Sequence, residues 1–222
     1  MIRPCKYRNM EENVRVHLDT LLTRYPQLES CRESITCAYL YICSAYDKGG
    51  KLLIAGNGGS AADAEHIVGE LMKAFKRPRT LSKEEQEALE SIDSQDGKVL
   101  AQKLQGAMPA IALDGHVALT TAYLNDCEPL LCFAQQVNGY GRKGDVFLGI
   151  STSGNSRNVV YAAITAKAKG MKVVVLTGAN DSRLSAIADV AIQVPETDTY
   201  IIQELHLPVY HALCLMLEAR YF

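Results

Sequence analysis

The chain has 222 residues, of which 48% are hydrophobic and 22% are charged, and its formal net charge at pH 7 is −2. This length is enough for one domain with a sizeable core. The near-neutral charge provides no basic excess for a phosphate backbone, so nucleic acid is not expected as a partner. Every apolar run is far shorter than the roughly 18–20 residues that cross a bilayer, so no membrane partner is expected.

The N-terminal residues and the cysteines bear on the cellular location. The first residues, MIRPCKYRNMEENVRVH, contain no apolar segment of the kind found in a secretory signal. The seven cysteines include no C-x-x-C pair, so the spacing of a zinc finger or a redox motif is missing. We therefore expect a cytoplasmic protein.

Two helices are predicted in residues 1–50. Val14, Leu18 and Leu22 recur at helical spacing, and Pro26 ends that run. A second helix is predicted over about residues 28–46, and the glycine pair that follows ends it. These residues form the predicted N-terminal helical pair.

Five short apolar runs predict β-strands that alternate with helices. The predicted strands cover residues 51–55, 109–113, 145–151, 172–177 and 189–194. Helix-like segments cover residues 61–75, 116–124, 156–169, 182–187 and 201–221. Apolar runs without polar alternation, separated by helices, are typical of a parallel sheet that is buried on both faces. We therefore predict a single α/β domain, residues 1–222, with a central, mostly parallel five-stranded sheet flanked by helices.

One segment does not fit this pattern. Residues 72–107 contain a basic cluster, KAFKRPR, followed by an acidic helical stretch, LSKEEQEALESIDSQD. The segment is too polar for the core, and a solvated surface insertion is the simpler interpretation. The alternative is a lid or an inter-subunit arm beside the functional site.

Two loops combine glycines with polar side chains, and each lies between a predicted strand and a predicted helix. They are GNGGS, residues 56–60, and STSGNS, residues 151–156. In a parallel sheet both lie at the carboxyl ends of strands, where ligands bind. Glycine permits close backbone approach and a helix N-terminus favours an anion, so the pair predicts a phosphate monoester site. For GNGGS alone a connecting turn remains an alternative, and neither loop has dinucleotide or P-loop spacing.

Two predicted helices carry side chains suited to catalysis or metal binding. His66 and Glu70 are four residues apart, which places them on one helix face as two metal ligands, as a base and its partner, or as a surface pair. Gln203 and His211 are about 12 Å apart along a regular helix, so they share a ligand only if their side chains bend together. His206 faces away from His211, and we interpret it as structural or exposed.

Several motifs, in order, resemble those of the phosphoheptose isomerases, which are sugar isomerase (SIS) domain proteins. The motifs are AGNGGSAADAEH with the following Glu70, GDVFLGISTSGNSRN, VVVLTG and IQELHLPVYH. The resemblance covers nearly the whole chain from about residue 51. It implies the SIS-type doubly wound sandwich and an aldose–ketose isomerase that converts sedoheptulose 7-phosphate to D-glycero-D-manno-heptose 7-phosphate through an enediol.

The resemblance also implies roles for individual residues. It implies substrate binding by the two loops, by an Asn–Asp pair and by the start of the last helix: Asn57, Gly58, Ser60, Asn125, Asp126, Ser151, Thr152, Ser153, Ser156, Thr199 and Gln203. It implies one zinc ion per subunit, with a ligand set of His66, Glu70, Gln203 and His211. It further implies that Glu70 and His211 form the acid–base pair.

Two departures from the family pattern leave the exact sugar phosphate open. Ile201 stands where the family often has an arginine, and the insertion is longer than in a plain heptose isomerase. The resemblance implies a homotetramer with active sites between subunits. One non-catalytic branch of relatives associates with a replication initiator, and the presence of Glu70 and His211 favours the enzyme over it. A regulatory domain that senses sugar phosphates is the least favoured alternative, because no appended DNA-binding motif is visible.

Overall fold

The computed structural model of the chain describes residues 10–222. In chain order the helices are α1 (Glu12–Arg24), a 3₁₀ helix (Pro26–Cys31), α2 (Arg32–Tyr46), α3 (Gly59–Met72), α4 (Lys83–Ile92), α5 (Asp96–Lys103), α6 (Val117–Asp126), a 3₁₀ helix (Pro129–Leu131), α7 (Cys132–Tyr140), α8 (Arg157–Ala168), α9 (Arg183–Ile187) and α10 (Thr199–Tyr221). The strands are β1 (Leu52–Ala55), β2 (Ala110–Ala112), β3 (Val146–Ile150), β4 (Lys172–Thr177) and β5 (Val190–Gln193). The predicted helical pair corresponds to α1 and α2, and residues 1–9 of that prediction lie outside the described part. None of the described helices is long and apolar enough to cross a membrane.

The described strands form one sheet in the order β2–β1–β3–β4–β5, and every neighbouring pair is parallel. Each strand lies within one residue of its predicted bounds. The prediction of a central parallel sheet is confirmed, because the apolar runs occupy strands that are covered on both sides.

Successive residues of the strands face two different helical layers. Leu52 and Ile54 pack in a core with α1, α2, α3 and α10, whereas Leu53 and Ala55 pack in a second core with α7, α8 and α9. This alternation follows from the two-residue period of a strand. The predicted doubly wound sandwich is therefore confirmed.

Helix α7 was not among the predicted elements. Its buried apolar residues include Phe133 and Val137, which have helical spacing, but the glutamines between them weaken the apolar pattern of this short segment. One of these polar residues, Gln136, is buried and donates a hydrogen bond from Nε2 to the Leu113 carbonyl oxygen at 2.7 Å. The helix is thus fixed by a long-range contact that the local pattern does not contain.

The polar insertion forms a helical hairpin. Helix α4 begins at a capping box, in which Ser82 and Glu85 satisfy each other's backbone N–H groups, and α5 returns beside it. The base of the hairpin is closed by an antiparallel bridge between Thr80 and Gln105. Helix α4 has no buried residue, as expected of a solvated segment, but the Arg79 side chain at the base is fully buried.

Candidate functional site at the carboxyl edge of the sheet

The two predicted ligand loops are neighbours in the fold. GNGGS follows β1, STSGNS follows β3, and these strands are adjacent at the point where the strand order reverses. Helix α3 leaves the first loop on one face of the sheet and α8 leaves the second loop on the other face. This divergence opens a crevice at the carboxyl edge, which is where open α/β sheets bind ligands.

The first loop is held by its own backbone and by two contacts from outside. Gly58 has a φ of +57°, a conformation that favours glycine, and the next residue begins α3. The Asn57 and Asn158 side chains exchange two amide hydrogen bonds, at 3.0 and 2.8 Å, which join the two loops. Gln203 packs so closely on Gly59 that a Cβ there would lie 2.5 Å from its Nε2. Ser60, the last residue of this loop, is buried.

The second loop surrounds a polar cavity of about 200 Å³. Its lining includes Thr152, Ser153 and Thr199, which were predicted as substrate residues from distant parts of the chain. The hydroxyl oxygens of Ser151 and Ser156 lie 3.0 Å apart and brace the loop across its width. In this cavity, uncharged hydroxyl groups and backbone N–H groups can therefore donate hydrogen bonds to a bound anion.

The candidate acid–base residues meet where α3 packs against α10. His66 Nε2 lies 3.3 Å from Glu70 Oε1, and its ring centroid lies 5.0 Å from that of His211. His66 Nδ1 shares a hydrogen bond of 3.0 Å with the Tyr210 hydroxyl, which fixes the ring between the two helices. Glu70 is buried, and Lys73 Nζ lies 3.5 Å from its second carboxylate oxygen. A carboxylate and an imidazole therefore stand side by side between α3 and α10.

Burial sets the charge state of several groups in this cluster. Burial and the adjacent His66 lower the pKa of His211, and Glu70 opposes the effect. This shift favours the neutral imidazole of His211, and among residues 10–222 its buried Nε2 has no hydrogen-bond partner. Burial raises the pKa of Asp63, and both burial and Asp63 raise the pKa of Tyr210.

Three predicted residues lie apart from this cluster. Asn125 and Asp126 are exposed at the end of α6, where the Asn125 amide donates to Asp126 Oδ1 at 2.8 Å. Within the described part of the chain, neither is hydrogen-bonded to a predicted site residue outside this pair. Gln203 lies beside Gly59, whereas His211 lies two turns further along α10, and Pro208 lies within the helix between them.

Three of the four predicted zinc ligands, His66, Glu70 and His211, lie in this cluster. Residues 10–222 contain no group of three or more His, Cys, Asp or Glu side chains arranged to hold a metal ion. His66, Glu70 and His211 nevertheless supply imidazole and carboxylate donors, which zinc accepts, and the unpartnered His211 Nε2 is one of them. These three residues fit zinc by donor chemistry, and coordination requires their side chains to reorient.

Several residues of the site did not emerge from the sequence. Tyr210 orients His66, Asn158 pairs with Asn57, and Ser182 packs against Gly154 of the second loop. Asn158 is the last residue of the STSGNSRN motif, and Tyr210 is next to His211 in the sequence. Their positions beside predicted site residues were the only indication that they belong to the site. Ser182 had no such signal, because it reaches the loop from the end of another strand.

Comparison with known proteins identifies relatives of the whole chain. The model of the SIS domain family matches residues 99–178. A phosphoheptose isomerase from Rhodospirillum rubrum is 34% identical over 209 residues, which is 94% of this chain and 97% of the relative. One from Thermodesulfovibrio yellowstonii is 39% identical over 177 residues, covering 80% of this chain and 75% of the relative.

Solved structures give the same result at the level of the fold. The phosphoheptose isomerase from Neisseria gonorrhoeae superposes with a TM-score of 0.69 at 31% identity. The phosphoheptose isomerase from Francisella tularensis superposes with a TM-score of 0.71 at 28% identity. In both comparisons 91% of this chain and 95% of the other are covered.

Proposed function

This chain belongs to the phosphoheptose isomerase family, and we propose that it interconverts sedoheptulose 7-phosphate and D-glycero-D-manno-heptose 7-phosphate. The observation that carries the proposal is the meeting of His66, Glu70 and His211 where α3 packs against α10, in a chain that also has the two ligand loops. A protein that only bound sugar phosphates would need the loops but not this cluster.

Substrate binding starts at the phosphate. The hydroxyls of Thr152 and Ser153, with backbone N–H groups of the loop, donate hydrogen bonds to the phosphate oxygens in the cavity after β3. Thr199 lines the same cavity from the start of α10. The sugar chain extends from there toward Gln203 and the first loop.

Isomerisation then requires one proton to move between adjacent carbons. Glu70 removes a proton from C1 of the ketose while His211 donates a proton to the carbonyl oxygen on C2, which gives an enediol. Glu70 returns its proton to C2, and the hydroxyl on C1 loses its proton to His211 as the aldehyde forms. Glu70 is buried and His211 is half-buried, which limits the access of water to the proton transfer.

Zinc, one ion per subunit, is part of the proposal. His66, Glu70 and His211 would hold it, with Gln203 as the fourth ligand implied by the family resemblance. A bound zinc ion supplies Lewis-acid polarisation of the carbonyl oxygen. Metal analysis of protein purified without chelator tests this: full activity in metal-free protein would reject a zinc role.

We also propose a homotetramer in the cytoplasm, in which neighbouring subunits complete the site. Helix α6 supports this, because it is apolar in composition yet has no buried residue in the subunit. It carries Asn125 and Asp126, which lie apart from the other site residues. A second subunit packed on α6 would cover its apolar face and bring this pair to a crevice.

The test is a panel of C5 to C7 sugar phosphates assayed in deuterated water. The wild type is expected to turn over a C7 phosphate and to incorporate deuterium next to the carbonyl. Glu70→Gln should lose both turnover and exchange by at least about 100-fold while still binding substrate. Ser153→Ala should instead weaken binding, because it removes a phosphate donor. Unchanged turnover in Glu70→Gln would show that the proposed base is wrong.

A further inference from the structure

A buried ion pair joins the insertion to the last helix. The Arg79 and Glu218 side chains are 0% and 1% exposed, and their charged atoms lie 2.9 Å apart. Burying either charge alone costs a large desolvation free energy. A buried ion pair is therefore stable only when the polar atoms of both side chains are hydrogen-bonded. The partners are 139 residues apart in sequence, so the pair fixes tertiary structure and not a local turn.

The Glu218 carboxylate is enclosed by donors from the basic cluster. The backbone N–H groups of Phe75, Lys76 and Arg77 donate to its two oxygens at 2.9, 2.9 and 3.1 Å. Arg79 Nε donates to the same carboxylate at 2.9 Å. The segment after α3 is therefore wrapped around a side chain of α10.

The rest of the Arg79 guanidinium binds the end of α3. Its two terminal nitrogens donate to the carbonyl oxygens of Leu71 and Glu70 at 2.7 and 2.8 Å. Carbonyls in the last turn of a helix lack intrahelical partners, so a cation there satisfies them and complements the helix dipole. Arg79 thus holds the backbone of Glu70 itself.

The two helices that Arg79 connects carry the candidate acid–base pair. Glu70 lies on α3 and His211 lies on α10, two turns before Glu218. We propose that Arg79 is a positioning residue that sets the separation of Glu70 and His211 by fastening the end of α3 to α10. The expected effect of Arg79 on kcat depends on the proposed isomerase function.

The helical hairpin beyond this anchor is separable from it. The base is closed by the Gly106 N–H, which donates to the Arg79 carbonyl oxygen at 2.8 Å, and by the Thr80–Gln105 bridge. Among the described elements, α4 and α5 pack mainly on each other. The positioning role therefore belongs to the base of the insertion, and residues 81–104 are dispensable for it.

The kinetic test compares three variants, with kcat expressed per folded subunit. Arg79→Met, and Arg79→Lys as the milder form, should lower kcat by about 10- to 100-fold because small displacements of reacting groups are costly. KM should change less than about twofold, because the phosphate loop follows a different strand. Lys51→Met breaks a second partly buried ion pair, with Asp145, at the amino ends of β1 and β3 and serves as the matched control. It should destabilise the protein and leave kcat unchanged.

A second experiment separates the anchor from the hairpin. Replacing residues 81–104 by Asn-Gly, a two-residue turn suited to the paired Thr80 and Gln105, should leave kcat within about twofold of the wild type. If Arg79→Met does not fold, the charge-free double variant Arg79→Met/Glu218→Gln replaces it. A loss of kcat in the hairpin deletion equal to that in Arg79→Met would overturn the inference.

Hydrogen exchange of residues 66–72, measured without substrate, gives a readout that does not depend on activity. The Arg79 variants should exchange at least about tenfold faster there than Lys51→Met. An inactive wild type would reject the proposed function alone. Unchanged exchange together with unchanged kcat in the Arg79 variants would reject the positioning role alone.

Discussion

At the scale of single residues, two histidines of α10 occupy contrasting environments. His211 is half-buried beside His66, whereas His206 is completely buried. Burial lowers the pKa of His206 to about 4. The sequence placed His206 on the opposite side of the helix from His211, and the structure shows that this side faces the core.

His206 makes stability depend on pH in a definite direction. Its pKa falls from 6.5 in the unfolded chain to about 4 in the folded one, so between these values the unfolded state binds more protons. Stability is complete above pH 6.5 and declines as pH falls toward 4, by about 3 kcal/mol for this group.

The measurement is chemical denaturation of the wild type and His206→Leu at several pH values. The difference between their free energies of unfolding should change by about 3 kcal/mol from pH 7 to pH 4. Glu204→Gln, an exposed substitution on the same helix, should leave the profile as in the wild type. A difference between wild type and His206→Leu that stays constant with pH would contradict the prediction.

At the scale of elements, the second loop depends on a backbone shape and a close neighbour. Gly154 has a φ of +63°, and a Cβ there would lie 2.1 Å from Ser182 Oγ. Ser182 is in turn held by a capping box with Ser185 at the start of α9. The strand-to-helix connections after β3 and β4 therefore determine the shape of the phosphate cavity together.

Gly154→Ala should weaken sugar phosphate binding by about tenfold or more. The left-handed conformation costs an L-residue about 1–2 kcal/mol, and the contact with Ser182 forces the loop to move. Gly139→Ala on α7 is the matched control, because open space surrounds that glycine and its φ is not positive. Alanine in a helix should raise stability there by about 0.5–1 kcal/mol without affecting binding. Binding calorimetry distinguishes the two, and equal affinities would contradict the prediction.

At the scale of the whole molecule, α6 and the helical hairpin each expose several apolar side chains. Val117 is 72% exposed, and Leu119 and Leu124 are also exposed on this helix. The helical hairpin of the insertion exposes Ile92, at 85%, and also Val99, Leu100 and Leu104. The proposed tetramer predicts that only the first of these two surfaces is covered by a neighbouring subunit.

Val117→Glu should therefore weaken assembly, with an increase of about tenfold or more in the subunit dissociation constant, because a charge replaces a buried apolar side chain. Ile92→Glu is the control and should leave assembly unchanged. Sedimentation over a dilution series measures both, with activity recorded at the same concentrations. Identical sedimentation of the two variants and the wild type would exclude α6 as the contact.

The sequence by itself determined the parts of this protein that depend on near neighbours along the chain. Apolar runs located the strands, glycine and hydroxyl residues marked the two ligand loops, and the four-residue spacing of His66 and Glu70 predicted that they would meet. These features follow from the periodicity of strands and helices, which can be recognised within a short stretch of sequence.

Only the tertiary structure determined which residues that are distant in the sequence contact each other. The strand order places the two loops side by side, the packing of α3 on α10 brings His211 to His66, and Arg79 finds Glu218. The basic cluster illustrates the limit, since its polarity predicted a solvated segment while its backbone encloses a buried carboxylate. Burial and pairing of charges depend on contacts between distant residues, and a single sequence does not specify those contacts locally.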